Sequence, residues 1–247
     1  MSDRRLPGAD LRDALRPALP RSSSPQILAD ALVPGLLHGR PGARVVDLGC
    51  GRGDSVDLFR AADPDVRWVG ADLPEAIAGI QRDDAPFASF DGVHLPFEDD
   101  SVDVVFCKQV LEHVEHPPEL IADVARVLRP DGVLAGSTSN LEPYHDHSVA
   151  NFTPYGLKLL LERAGLEVET LLPGIDGLTL IARRMLRAPG WLERWWSRRS
   201  PLNTAIDAVA RPLRLDAEDR NTLKLMFCGH YVFVARPASN AGVPAVA

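Results

Sequence analysis

Glycines at 49, 51 and 53 alternate through the stretch Val45-Val-Asp-Leu-Gly-Cys-Gly-Arg-Gly-Asp54, with acids at Asp47 and Asp54 on either side. Glycines so spaced remove the Cβ atoms that would hold a ligand off the backbone, and they permit positive φ. Amides at the N-terminus of a following helix would point into the crevice at the carboxyl end of the preceding strand. Such a turn suits a nucleotide-like group. Asp72 lies 19 residues beyond Gly53, the distance at which an acid can take both hydroxyls of a ribose. Asp91 follows as another acceptor-only group, and His113, His145 and His147 are side chains able to take up a proton near neutral pH.

The elements that must position these residues are legible from periodicity. Arg44 to Leu48 reads as a buried strand entering the glycine turn, and Ser55 to Ala62 as the helix that leaves it, with Asp54 as cap. Val66 to Ala71 is a second apolar run with Asp72 at its tip, and Phe87 to Phe90 a short third strand before Asp91. Val102 to Cys107 is a fourth, placing Lys108 and His113 beyond its carboxyl end. An amphipathic helix over Leu120 to Leu128 stops at Arg129-Pro-Asp-Gly132, and Val133 to Ser137 forms a fifth strand, after which a polar loop carries His145 and His147. Thr153 and Pro154 open a helix through Ala164, Gly165 closes it, and Leu166 to Leu172 is strand six. Gly229 to Ala235 is strand seven. Upstream, Ile27, Leu28, Ala31, Leu32 and Leu36 recur at helical spacing over Pro25 to Leu37, with Ser24 as cap. Strands alternating with helices imply an α/β fold.

The position where a dinucleotide fingerprint takes its last glycine holds Asp54, which argues against NAD and a dehydrogenase. With Asp47 two residues ahead of Gly-x-Gly-x-Gly, the stretch resembles the first motif of class I methyltransferases that use S-adenosylmethionine. Leu95 through Val105, Leu111-Glu-His113 and Val127-Leu-Arg-Pro-Asp-Gly132 extend the likeness over roughly residues 44 to 137. The resemblance implies a Rossmann-like, seven-stranded doubly wound sheet, six strands parallel and the seventh antiparallel. It assigns Asp47, Gly49, Cys50, Gly51 and Gly53 to the methionine end of the cofactor, and Asp72 with Leu73 to the ribose. Asp91 would accept from the adenine amino group, Gly92 and Val93 would offer backbone to the ring, and Lys108 completes the binding set. The plainer alternatives are that Asp72 caps a helix beginning at Pro74 and that Asp91 caps a surface turn.

A sulfonium methyl is already electrophilic, so positioning the acceptor outweighs any base. His113 is the first candidate base, with a merely packed histidine as the alternative. His145 and His147, flanking Asp146, are the second. Some quinone-pathway O-methyltransferases that the chain resembles carry Glu-x-x-Glu-His after strand four. Here Gln109 replaces the first carboxylate, and no metal site is expected because hard cations need several oxygen ligands. The Asn/Asp-Pro-Pro-aromatic motif of amino-group methylation of adenine or cytosine is absent after strand four. The expected activity is methyl transfer to a small molecule, chiefly a hydroxyl oxygen of a metabolite, sugar or lipid intermediate. The alternative is an inactive S-adenosylmethionine-binding partner or regulatory protein.

The 247 residues suffice for one good-sized core, and a formal charge of −7 disfavours a generally basic nucleic-acid binder. Three scattered cysteines, no leader-like opening and no apolar run near the roughly 20 residues of a membrane span fit a reducing cytoplasm. Residues 1–24 read as a flexible or loosely docked arm, 25–237 as the catalytic-type domain and 238–247 as a flexible tail. Residues 174–225 read as an insertion with helices around Leu178 to Leu186, Trp191 to Ser197, Leu202 to Val209 and Ala217 to Leu225. Between Arg183 and Arg214 it carries eight arginines against Glu193 and Asp207, a local net of +6, together with Trp191, Trp195 and Trp196. Two readings follow: a lid or dimer contact with solvated arginines, or a surface for anionic lipid or a phosphorylated acceptor.

Overall fold

The computed structural model describes residues 8–142, 146–187 and 189–238. Seven strands form the central sheet: β1 (Arg44–Leu48), β2 (Arg67–Asp72), β3 (Phe87–Ser89), β4 (Val102–Lys108), β5 (Leu128–Ser139), β6 (Leu166–Pro173) and β7 (His230–Pro237). Their order is β3-β2-β1-β4-β5-β7-β6, and β7 runs antiparallel to both neighbours while the remaining adjacent pairs are parallel. Six strands therefore share one direction. Strand order reverses beside β1, which opens a crevice between the carboxyl ends of β1 and β4.

Both faces of the sheet are buried, as alternation along β4 demands. Val105 and Cys107 pack into one cluster with Val46 and Leu48, whereas Val104 and Phe106 pack into another with Val45 and Phe59. Helices α1 (Ala9–Leu15), α2 (Val33–Leu37), α3 (Ser55–Ala62), α4 (Pro74–Ala78), α5 (Pro117–Val127) and α6 (Pro154–Arg163) accompany the first six strands. Apolar residues of α5 and α6, such as Leu120, Ile121, Leu157 and Leu161, cover the first cluster; α2 and α3 cover the second. The insertion folds as α7 (Gly177–Met185), α8 (Gly190–Ser197), α9 (Pro201–Ala210) and α10 (Ala217–Phe227), each within a residue or two of its expected span. Asp176 and Asp216 start α7 and α10 by accepting from the amides of Thr179 and Asp219.

Four expectations need correction. Residues 8–24 are not a loose arm: Leu15 is fully buried in α1, and Arg12 donates to Asp219 at 2.6 Å. The Asn221 side chain holds the carbonyls of Pro20 and Ser22 and the amide of Ser24. These contacts span about 200 residues of sequence, beyond any local pattern. The helix expected from Pro25 begins later, with a 3-10 turn at Ala29–Leu32 leading into α2. Before it, the Ile27 amide donates to Pro173 O and the Gln26 side chain accepts from the Ser200 amide, so this piece runs extended beside β6 and the insertion. Strand β5 starts earlier than Val133, because Leu128 already pairs with Val102; a register shift then accommodates Pro-Asp-Gly before Val133 pairs with Val104. Lastly, Asp54 occupies the cap position of α3 with φ −61° and ψ −24° but makes no capping bond.

Candidate functional site

The glycine turn adopts a conformation that side chains resist. Gly49, Gly51 and Gly53 have φ of 67°, 52° and 76°. The amides of Gly49 and Cys50 donate to Ala71 O at the end of β2, and the Gly51 amide donates to Asp72 Oδ2 at 2.8 Å. A Cβ on Gly49 would lie 2.4 Å from Val110 Cγ2, whereas one on Gly51 would meet nothing within 4 Å. Gly49 thus permits close packing of β1's exit against the chain leaving β4, and Gly51 presents open backbone.

Beside this turn lies a cavity of about 310 Å³ lined by Gly49, Asp72, Leu73, Asp91, Val93 and His113, among others. Phe90, Gly92 and Val110 also border it. Residues from the ends of β1, β2, β3 and β4 are therefore brought together, as their spacing required. Asp72 accepts from the amides of Gly51 and Leu73, one on each oxygen, and each oxygen retains a lone pair for a ligand. It does not cap α4, where Leu73 is the cap residue. Asp91 Oδ1 accepts from the amides of Val93 and His94, while Oδ2 meets His94 Nδ1 at 2.8 Å. The His94 side chain first, then the two amides, hold its carboxyl well below the usual carboxylate range. Asp91 consequently makes the surface turn and still borders the cavity. No lysine or arginine lines this cavity among the described residues. Its acceptors fit a diol and an exocyclic amine, whereas a pyrophosphate would meet like charge.

Most of the remaining expected residues fall outside this cavity. Asp47 is buried and accepts from Ser55 Oγ at 2.5 Å, which in turn accepts from Trp68 Nε1 at 3.0 Å. Burial, opposed by the Ser55 bond, pushes its pKa up to about 7. It buttresses the turn from behind. Cys50 is also buried, its thiol pushed up to about 12 by desolvation. Gly53 packs under Phe87, since a Cβ there would approach its ring to 2.8 Å. Lys108 pairs with Asp30 at 2.7 Å and borders a different cavity. His113 ends a 3-10 turn, Leu111–His113, and is half-buried at the cavity wall. His147 is exposed on its loop, and His145 lies outside the described residues.

A methyltransferase-domain profile matches residues 21–171, more than half of the chain. The chain belongs to the class I S-adenosylmethionine-dependent methyltransferase family. A protein of Mycolicibacterium smegmatis named a probable S-adenosylmethionine-dependent methyltransferase is 36% identical over 161 residues, 59% of this chain and 60% of the relative. The 27-O-demethylrifamycin SV methyltransferase of Amycolatopsis mediterranei is 35% identical over 117 residues, covering 44% of this chain and 42% of its own. The chain thus matches about half the length of these curated relatives. Among solved structures, an S-adenosylmethionine-dependent methyltransferase of Mesorhizobium loti superposes with a TM-score of 0.52 at 19% identity, over 84% of this chain and 97% of that one. The [4+2]-cyclase SpnF superposes with a TM-score of 0.56 at 16% identity, over 93% and 92%. These two likenesses concern the fold alone.

A second polar centre in this methyltransferase-family chain was not legible in its motifs. It lies at the ends of β4 and β5 and the start of β7. Glu112 is fully buried, accepting from Thr138 Oγ1 and Ser139 Oγ at 3.0 Å each. Its carboxylate is thus committed to strand β5. Glu142, also buried, meets Ser139 Oγ at 2.7 Å, Arg184 at 3.2 Å and His230 Nε2. Gln109 donates to Ser137 Oγ at 3.1 Å, and its Oε1 lies 3.4 Å from Ser139 Oγ and 3.2 Å from His230 Nε2. Gln109 has φ 56°, strained for a residue with a Cβ. Trp196 of α8 sets its ring edge-on to His230 at 5.3 Å, and Arg183 stacks over Trp196 at 4.7 Å. Arg184 and Trp196 therefore bring the insertion onto this centre.

Proposed function

We propose that this protein transfers a methyl group from S-adenosylmethionine to a small-molecule acceptor, with a hydroxyl oxygen as the acceptor atom. The observation that carries the reading is the cavity beside Gly49, with Asp72 and Asp91 presenting acceptors and, among the described residues, no lysine or arginine lining it. The cofactor, when bound, supplies an electrophilic methyl on a sulfonium. Asp72 would hold the ribose hydroxyls, Asp91 and the Val93 backbone the adenine, and the Gly49 to Gly53 turn the methionine end. Asp47 would act from behind that turn. Relatives named malonyl-[acyl-carrier protein] O-methyltransferase and 27-O-demethylrifamycin SV methyltransferase support an oxygen acceptor.

What the chain contributes beyond binding is alignment and exclusion of water. Insertion helices α7 and α8 reach the β5 and β7 ends through Arg184 and Trp196, which favours a wall or lid over the acceptor side. Their outer face suggests a second role. Leu178, Ile181 and Met185 make an exposed apolar stripe along α7, and Arg187, Arg198, Arg211 and Arg214 are exposed nearby in sequence. That combination suits an anionic lipid surface. No described helix is long and apolar enough to cross a membrane.

Calorimetric titration with S-adenosylmethionine, S-adenosylhomocysteine and NAD tests the central reading. Binding of the first two without NAD is expected. Binding of NAD in their place would overturn it.

A further inference from the structure

The cavity that Lys108 borders measures about 220 Å³ and lies among Gln109, Ser137, Ile175, Trp196 and His230. That is below the roughly 300–1,000 Å³ of sites for drug-sized ligands, so it takes one compact group. Gln109 lines it while the next residue, Val110, lines the cavity beside Gly49, so the two spaces share one stretch of backbone. That stretch carries the strained φ of Gln109. Asp30 and Lys108, both on the walls of the smaller cavity, pair with each other at 2.7 Å, and among the described residues His230 and Tyr231 are the other ionisable side chains that line it.

His230 Nε2 meets a carboxylate that is itself buried, paired with Arg184 at 3.2 Å and 2.7 Å from Ser139 Oγ. A proton on Nε2 directed at Glu142 leaves the lone pair on Nδ1, and Nδ1 forms no hydrogen bond among the described residues. Facing groups from the packed elements are Trp196 edge-on from α8, Gln109 and Glu112 beyond β4, and Arg184 from α7. A histidine with a buried carboxylate partner at the wall of a cavity has the arrangement of an oriented base.

We propose that this cavity binds a compact hydroxylated ring and that His230, oriented by Glu142, accepts the proton of its hydroxyl. The inference rests on the methyltransferase reading and deepens it. The O–H bond breaks, an N–H bond forms on the imidazole, and the electron pair stays on oxygen, where it is available to the methyl carbon. Glu142 stabilises the resulting imidazolium and fixes its orientation; it is a positioning residue, and solvent later takes the proton from the imidazolium. The apolar walls from Ile175 and Trp196 favour a flat ring, and Ser137 Oγ offers a further polar contact.

The test uses 4-nitrophenol, whose phenolate absorbs visible light where the phenol does not. The full-length protein with S-adenosylhomocysteine is titrated at a pH where the unbound probe is mostly neutral and imidazole is partly so. A phenolate band several-fold above that of the probe alone is expected with the wild type. His230→Gln should abolish it, because the amide can still bond Glu142 but takes no proton. Glu142→Gln should weaken it, and it remains informative if His230→Gln fails to fold by circular dichroism. No band with the wild type, or an undiminished band in a folded variant, overturns the proposal. S-adenosylhomocysteine affinity, measured by calorimetry, should be unchanged in both variants. If the wild type fails to bind it, the cofactor reading fails instead.

Discussion

Gly49 and Gly51 share a left-handed backbone but not a neighbourhood, and that difference separates packing from ligand binding. Alanine at either position incurs the left-handed penalty of about 1–2 kcal/mol. At Gly49 the new Cβ would also lie 2.4 Å and 2.8 Å from the two Cγ atoms of Val110, in a half-buried junction between the exits of β1 and β4. Overpacking of this kind costs about 1–3 kcal/mol more. Gly49→Ala should therefore destabilise the fold by about 2–5 kcal/mol, and Gly51→Ala by only about 1–2 kcal/mol. Urea unfolding followed by circular dichroism measures both. Adding Val110→Ala should restore part of the Gly49→Ala loss, a coupling that a double-mutant cycle isolates. Gly51→Ala leaves the fold nearly intact but puts a methyl on the open backbone, so S-adenosylhomocysteine affinity should fall at least tenfold, about 1.4 kcal/mol. Equal stability losses at the two glycines would refute the packing argument, and an unaltered affinity in Gly51→Ala would refute the placement of the ligand on the turn.

Three further outcomes follow from the geometry. Asp72→Ala removes acceptors for the Gly51 and Leu73 amides, which water can replace, so stability should fall by only about 1 kcal/mol. Cofactor affinity by calorimetry should fall more than tenfold, and an unchanged value means the ribose assignment is wrong. Asp47, raised from 3.8 to about 7 chiefly by burial, keeps its proton in the native state where the unfolded chain has released it. Its favourable contribution is fully present below about pH 4 and is lost as pH climbs to about 7, amounting to a few kcal/mol. The stability difference between wild type and Asp47→Asn should therefore shrink over that window and then level off; a difference independent of pH would contradict the buried, proton-holding aspartate. Phosphatidylglycerol vesicles at low salt should sediment the protein while phosphatidylcholine vesicles do not, and Met185→Glu should abolish the effect. Equal binding of the variant would remove α7 from any lipid contact.

The residues proposed for the cofactor side stand out in the sequence because they follow directly from strand ends. Each of β1 to β4 delivers its carboxyl-terminal residue to one crevice, so the acids at 47, 72 and 91 and the glycines at 49 to 53 carry positional meaning in sequence alone. The sequence could not tell which of them face the ligand space: Asp47 and Gly49 are two residues apart, yet one is bonded to Ser55 behind the turn and the other lines the cavity. Boundaries failed where a distant partner captured the backbone. Pro25 to Leu28 has helical spacing, but Ile27 is bonded to Pro173 and Gln26 to Ser200, so local propensity lost to tertiary hydrogen bonds.

The proposed acceptor side obeys a different logic. Glu142 and His230 are 88 residues apart, separated by α6, β6 and the whole insertion, and neither sits in a recognisable motif. The candidate histidines at 113, 145 and 147 were chosen for nearness to strand ends four and five. That choice passes over β7, whose antiparallel course brings its first residues, not its last, to the same edge of the sheet: Ser139 at the end of β5 pairs directly with His230 at the start of β7. In a sheet with one reversed strand, functional side chains are to be sought after the parallel strands and before the reversed one. That rule singles out Gly229-His230-Tyr231, and it places the histidine beside Ser139 and Glu142 through the register of the sheet.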